Sequence, residues 1–215
     1  MPAPDPVLPS CLQPRRVILF SGHMIDAPGR AEPRFPPALA PAAAAHIAAA
    51  LDRLEAGPLD LGLTQGAAGG DLLFAEAAQA RALPLLFLQP FGEDEFIARS
   101  VRPVSEGEQW VARYRTVAAR LASPPRAMPP AAAVAEAADN PFERCNRWLL
   151  DTALACGGDR VWLLCLWDGR RGDGAGGTAH MVEEVSRHRG HVLHIDPRDL
   201  QAHDPAGRRP DAGLA

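Results

Sequence analysis

Three stretches of this sequence gather small, hydroxyl and acidic residues in patterns that can hold an anion or the hydroxyls of a small molecule. The first is Ser21-Gly22-His23-Met24-Ile25-Asp26, in which Gly22 permits a sharp turn while Ser21 and His23 offer donors to an anion. Ordinary loop punctuation also accounts for Gly22, and local pairing for His23. The second is Thr64-Gln65-Gly66-Ala67-Ala68-Gly69-Gly70-Asp71, which runs into Leu72-Leu73-Phe74-Ala75-Glu76-Ala77-Ala78. Its small residues let a ligand approach the backbone, and the N–H groups at a helix start cradle phosphate. Asp71 would repel a phosphate placed on top of it, so it reads as a helix cap or as the partner of a ribose hydroxyl. The third runs from Trp167-Asp168-Gly169 through Arg170, Arg171 and four further residues to Gly176-Gly177-Thr178, where it feeds a helix and reads as an anion site.

None of these turns is G-x-G-x-x-G with an acidic residue about twenty positions on, and none is G-x-x-x-x-G-K-[ST], so dinucleotide oxidoreductase and P-loop chemistry have little support. Cys11, Cys145, Cys156 and Cys165 form no C-x-x-C pair. His188, His191 and His194 straddle a helix end and a strand instead of sharing one helix face. No metal and no cofactor is expected. Glu93, Asp94 and Glu95 suit a positive helix start and read first as a solvated acidic cap; in a catalytic site they would be a second source of a general base, with Arg99 as a candidate ligand contact.

The elements that must position these turns are legible as apolar runs. Val17 to Phe20, Leu83 to Leu88, Val161 to Trp167 and His191 to Ile195 have strand length, and Leu59 to Thr64 is a weaker fifth. The runs are continuous, not alternating, as in parallel strands covered on both faces. Between them Ile47, Leu51 and Leu54, then Trp110, Tyr114, Val117 and Leu121, then Met181 and Val185 fall at helical spacing. Further helices are expected at 71–82, 93–100 and 143–156. Strand and helix alternate, which predicts an α/β protein with a Rossmann-like, doubly wound, mainly parallel sheet of about five strands. Ligands of such sheets bind at the carboxyl ends of the strands, where three of the five proposed strands carry the turns described above.

The ends and one interior stretch differ in composition. Residues 1–14 hold five prolines and read as a disordered arm, and 198–215 as a disordered tail, leaving one domain over 15–197. Ser123-Pro124-Pro125 to Asn140-Pro141 is too rich in proline and alanine for a continuous helix and reads as a loop or flap. It can also be read as a linker, but the two strands and two helices after it are too little for a separate core. The formal net charge of -4 offers no global field for nucleic acid or anionic lipid. No apolar run reaches the roughly 18 residues that cross a bilayer, so a cytoplasmic location without membrane or nucleic-acid partners is expected, with homo-oligomerisation left open.

Taken together, the strand-end SGH, the GAAGGD turn with its LLFAEAA helix, the Asn146-Arg147 pair and the late GAGGT turn resemble the SLOG superfamily, which includes the Lonely Guy phosphoribohydrolases. The resemblance covers about residues 16–196. It implies a Rossmann-like fold that binds a nucleotide or nucleotide-derived ligand between glycine turns, either as a sensor or as a hydrolase. The Lonely Guy hydrolases carry an Arg-Lys pair and a P-G-G-x-G-T-x-x-E turn. Asn146-Arg147 stands where the basic pair would be, so only Arg147 keeps the charge, and Met181 stands three residues past Thr178. Glu183 and Glu184 lie two and three residues beyond that position, and two residues rotate a helix by about 200°.

The departure favours binding over catalysis, and the overall pattern, including Trp167-Asp168-Gly169 and the SGHMID opening, resembles the uncharacterised bacterial SLOG proteins associated with signalling modules more than the Lonely Guy enzymes. The expected ligand is thus a nucleotide-like small molecule. Its phosphate would be held by the turns at Gly66, Ala67, Gly69, Gly70 and Asp71 and at Gly176, Gly177 and Thr178. Arg147 adds charge, Asn146 a polar contact and Trp167 a burying surface. The first alternative is a nucleoside monophosphate hydrolase using Glu183 or Asp71 as its acid. The second is an interaction module whose glycine turns are structural only.

Overall fold

The computed structural model describes residues 13–129, 140–170 and 178–202. Strands β1 (Val17–Gly22), β2 (Leu61–Thr64), β3 (Leu85–Gln89), β4 (Arg126–Ala127), β5 (Val161–Leu166) and β6 (His191–Ile195) form one sheet in the order β4-β3-β2-β1-β5-β6. Every neighbouring pair is parallel, with Val17 opposite both Leu61 and Val161. Helices α1 (Ala40–Arg53), α2 (Gly70–Gln79), α3 (Glu93–Phe96), α4 (Gly107–Ala118), α5 (Pro141–Leu154) and α6 (Thr178–Arg187) fill the crossovers. This is an α/β, Rossmann-like, doubly wound fold.

The continuous apolar runs follow from covering both faces of the sheet. Ile18, Phe20, Leu85, Phe87, Leu164 and Leu166 pack with Ile47 and Leu51 of α1, Leu72 and Phe74 of α2, and Trp110 and Tyr114 of α4. Their neighbours Val17, Leu19, Leu61, Leu63, Val161, Leu163 and Cys165 point the other way, onto Cys145, Trp148 and Leu149 of α5 and Met181 and Val185 of α6. Side chains alternate across a strand, so both parities must be apolar here. Among the described residues no helix is long and apolar enough to cross a membrane.

Four details depart from the sequence expectation. A sixth strand, β4, lies within the stretch expected to be a loop; its two residues are exposed at the sheet edge and need no apolar signature. The helix expected over 93–100 is α3 followed by a π-helical turn, Ile97–Val101. At the amino end, Pro14 is buried, with its carbonyl accepting from Arg160 at 3.4 Å. Past Pro197, Leu200 packs into the core at 2% exposure, so order continues beyond both expected boundaries. The flap residues 130–139 lie outside the described residues. Asn140, which closes that stretch, caps α5 by accepting from the Phe142 N–H, with Pro141 in the first turn where its missing N–H is harmless.

Candidate functional site

In this strand order the chain runs outward from β1 to β4 on one side and resumes at β5 on the other, so the topological switch point lies between β1 and β5. A crevice opens there at the carboxyl ends of the strands. A cavity of about 190 Å³ occupies it. Phe20, Ser21 and Gly22 at the end of β1 form one wall, followed by Met24. Gln65, Ala67 and Asp71 come from the β2–α2 turn, Ser100 from the π-helical turn, Phe142, Asn146 and Leu149 from α5, and Thr178 from the start of α6. Six residues singled out from sequence, Ser21, Gly22, Ala67, Asp71, Asn146 and Thr178, thus meet in one place. Ser21 Oγ and Thr178 Oγ1 are hydrogen-bonded at 3.0 Å, and the Gln65 side-chain amide donates to Asn146 Oδ1 at 2.7 Å.

The β2–α2 turn is built differently from an open phosphate cradle. Asp71 folds back from the first turn of α2 so that its carboxylate accepts from the N–H groups of Gly66 at 3.1 Å and Ala67 at 3.3 Å. The Ala68 N–H donates to the Ser100 carbonyl and the Gly70 N–H to the His23 carbonyl. Four of the turn's donors, the N–H groups of Gly66, Ala67, Ala68 and Gly70, are therefore satisfied within the protein, as buried backbone groups generally are. Gly66 and Gly69 have φ of +89° and +115°. A Cβ on Gly69 would lie 2.7 Å from the Ile25 nitrogen, and one on Gly70 2.9 Å from the Phe20 ring. These glycines are required by the turn and by its closeness to the segment after β1.

Burial lifts the Asp71 carboxyl to about 6, against the N–H groups of Ala67 and Gly66, which favour its ionised form. Among the cavity's described lining residues none is Arg, Lys or His. A carboxyl in such a place takes and releases a proton near neutrality.

A second polar group holds neighbouring loops together. His23 Nε2 accepts from the Asp168 N–H at 3.2 Å, and Arg34 donates through Nε and Nη2 to the Asp168 carboxylate at 3.3 and 3.2 Å. Asp26 accepts from the backbone N–H groups of Arg34 and Phe35. Burial opposes ionisation of Asp168, but Arg34, the Arg170 N–H and His23 hold its carboxyl down at about 2. The His23 ring is pushed down by burial and by Arg34, against the pull of Asp168. His23 and Asp168 brace the loops after β1 and β5 and do not line the cavity.

Other expected site residues lie elsewhere. Arg147 is exposed, and its charge acts on Asp151 one turn along α5. Trp167 is half-buried, donating from its indole N–H to the Arg170 carbonyl at 2.6 Å, and is tilted against His194. Glu183 is exposed on α6. None of the three lines the cavity. Gly176 and Gly177 lie outside the described residues. Glu93, Asp94 and Glu95 form the first turn of α3, while Arg99 pairs with Glu95 and stacks over Phe91, whose edge meets Phe142. Among the described residues no group of three or more His, Cys, Asp and Glu is placed to hold a metal.

Sequence reasoning passes over Ser100, Phe142 and Arg34. Ser100 looks like the unremarked end of a helix, and nothing local to it reveals that the π-helical turn brings it against Ala68. No protein-family model and no curated protein matches the chain.

Proposed function

We propose that the chain binds a nucleotide or nucleotide-derived phosphate ligand at the switch-point crevice and serves as a sensor of that ligand in a signalling system. The reading rests on one observation: Ser21, Gly22, Ala67, Asp71, Asn146 and Thr178, distant in sequence, converge on the cavity at the carboxyl ends of the strands. The phosphate end belongs with the start of α6, where Thr178 opens a ten-residue helix. It does not belong on the β2–α2 turn, where the Asp71 carboxylate already takes the Gly66 and Ala67 N–H groups.

Thermal unfolding against a nucleotide panel tests this. A ligand present at about 100 times its Kd stabilises by about 2.7 kcal/mol, which for a domain of this size raises Tm by roughly 5–10 °C. A panel of mono-, di- and cyclic nucleotides that leaves Tm unmoved overturns the proposal.

A hydrolytic reading has one observation in its favour, the buried Asp71 carboxyl poised near 6 in the cavity. It makes Asp71, and not the exposed Glu183, the candidate acid. Release of free base from a nucleoside monophosphate, lost in Asp71→Asn and kept in Glu183→Gln, would establish it; intact nucleotide after prolonged incubation would rule it out.

A further inference from the structure

The polar groups of the cavity are of an unusual kind for a site that binds an anion. The lining side chains that carry polar groups are the hydroxyl residues Ser21, Thr178 and Ser100, the amides Gln65 and Asn146 and the acid Asp71, with no cationic side chain among the described lining residues. Phosphate recognition draws on cations or on free backbone N–H groups. Here the carboxylate repels an anion and the nearby N–H groups of Gly66 and Ala67 are already bonded to it. The same set suits an uncharged group that both donates and accepts: a hydroxyl donates to Asp71 and exchanges hydrogen bonds with serine, threonine or amide neighbours. At about 190 Å³ the cavity is smaller than the roughly 300–1,000 Å³ of sites that enclose a drug-sized ligand, so it takes one ring of a nucleotide and not the whole.

Ser100 points to the same conclusion independently. The residue is 2% exposed and lines the cavity, yet among the described residues its hydroxyl has no hydrogen-bond partner. Leaving a buried hydroxyl unpaired is costly, and such groups in native structures call for an explanation. Its carbonyl is fixed by the Ala68 N–H at 2.9 Å, so the π-helical turn Ile97–Val101 holds Ser100 against the β2–α2 turn. Single π-helical turns inside helices are frequent at functional sites.

We infer that this cavity is the subsite for the uncharged sugar of the ligand, that Ser100 and Asp71 read its hydroxyls, and that the phosphate lies outside it toward the start of α6. The inference rests on the nucleotide reading above.

Isothermal titration of the intact chain with adenosine, guanosine, cytidine and uridine monophosphates, their nucleosides, their 2′- and 3′-deoxy forms and inorganic phosphate tests it. The nucleoside of the tightest-binding monophosphate keeps measurable affinity, one of its deoxy forms binds at least about 10-fold more weakly, and inorganic phosphate neither binds the cavity nor displaces the nucleoside. Ser100→Ala weakens the nucleoside about 10-fold, while the Tm of the unliganded protein stays level or rises because no hydroxyl is left unpaired. Deoxy forms that bind as well as the parent, or an Ser100→Ala variant with unchanged affinity, overturn the sugar subsite and leave nucleotide binding standing. If no nucleotide and no nucleoside binds, the nucleotide reading fails and the subsite fails with it.

Discussion

Asp71 and Asp168 are each 7% exposed, and each follows a strand of the same sheet near its carboxyl end, yet their carboxyls are moved in opposite directions. Burial acts on both in the same sense. At Asp168 it is overcome by the Arg34 fork, and the ionised carboxylate becomes a clamp between the loops after β1 and β5. At Asp71 hydrogen-bond donors alone answer it, no Arg, Lys or His among the described residues lines the adjoining cavity, and the proton is held to about 6. Carboxyls of equal surface exposure, with that of Asp71 lying deeper in the protein, thus give a charged brace in one place and a proton-carrying group facing a cavity in the other. Environments that separate the titration of two like groups in this way assign them different tasks.

The largest effect is expected where the cage around Asp71 is broken at its backbone. Gly69→Ala places a Cβ against the Ile25 nitrogen and the His23 carbonyl at a φ of +115°. It should cost on the order of 3–4 kcal/mol by urea denaturation. A loss below about 1 kcal/mol would mean that the turn yields easily and that Asp71 is not held as described.

The charged side of the comparison comes next. Asp168→Ala leaves the Arg34 side chain, 17% exposed, without its carboxylate. Removing one partner of a buried pair costs about 3–5 kcal/mol, so with partial exposure the expected loss is about 2–3 kcal/mol. The double variant Arg34→Met/Asp168→Leu should recover part of it, since what hurts is the orphaned charge. If the single variant unfolds at the wild-type urea midpoint, the clamp is dispensable.

The third prediction separates the two aspartates by pH. Asp71 has its pKa raised from 3.8 to about 6, so its contribution to stability is full below 3.8 and is lost as pH rises through about 6. Asp168 has its pKa lowered from 3.8 to about 2, so its contribution is full above 3.8 and lost as pH falls toward 2. A shift of about two units corresponds to about 3 kcal/mol, an upper figure for what ionising Asp71 costs the fold at neutral pH. Asp71→Asn keeps an oxygen to accept from Gly66 and Ala67. It should therefore match the wild type at about pH 4 and exceed it by about 1–3 kcal/mol at about pH 8. Equal stability at both pH values would show that Asp71 titrates as an ordinary carboxylate.

The fold was largely legible in advance because a two-sided parallel sheet leaves its mark at every strand position, as in Val17-Ile18-Leu19-Phe20, where neighbours feed opposite cores. β4 left no mark, since Arg126 and Ala127 are edge residues that bury nothing. Leu200 left none either, because one apolar side chain in a polar stretch has no periodicity. Within the site, residues at strand ends and helix starts were legible: Ser21, Asp71 and Thr178. What the sequence hid was how backbone donors are used. The spacing Gly66 to Asp71 suggests open N–H groups, and only the folded turn shows the carboxylate of Asp71 reaching back to take them. Ser100 was hidden for a related reason, its place being set by a contact with Ala68 made 32 residues away in the chain.

The smallest effect is expected at His23, a residue whose type suggests chemistry and whose surroundings assign it a supporting part. Its Nε2 accepts a hydrogen bond from the Asp168 N–H, which requires the neutral ring, and burial together with Arg34 holds the pKa below 6.5. A histidine whose folded pKa is lowered contributes stability that is full above 6.5 and lost as pH falls through the folded value. His23→Gln keeps an acceptor that can reach the same N–H, so it should cost less than about 1 kcal/mol at about pH 8. It should also flatten the part of the acid-side decline that His23 causes. Because His23 stands outside the cavity, the variant should bind any nucleotide that the wild type binds with less than about a 3-fold change in Kd. A larger loss of affinity with stability unchanged would move His23 from the brace into the ligand site, and would place the anion on the Asp168 side of β1 instead of at the start of α6.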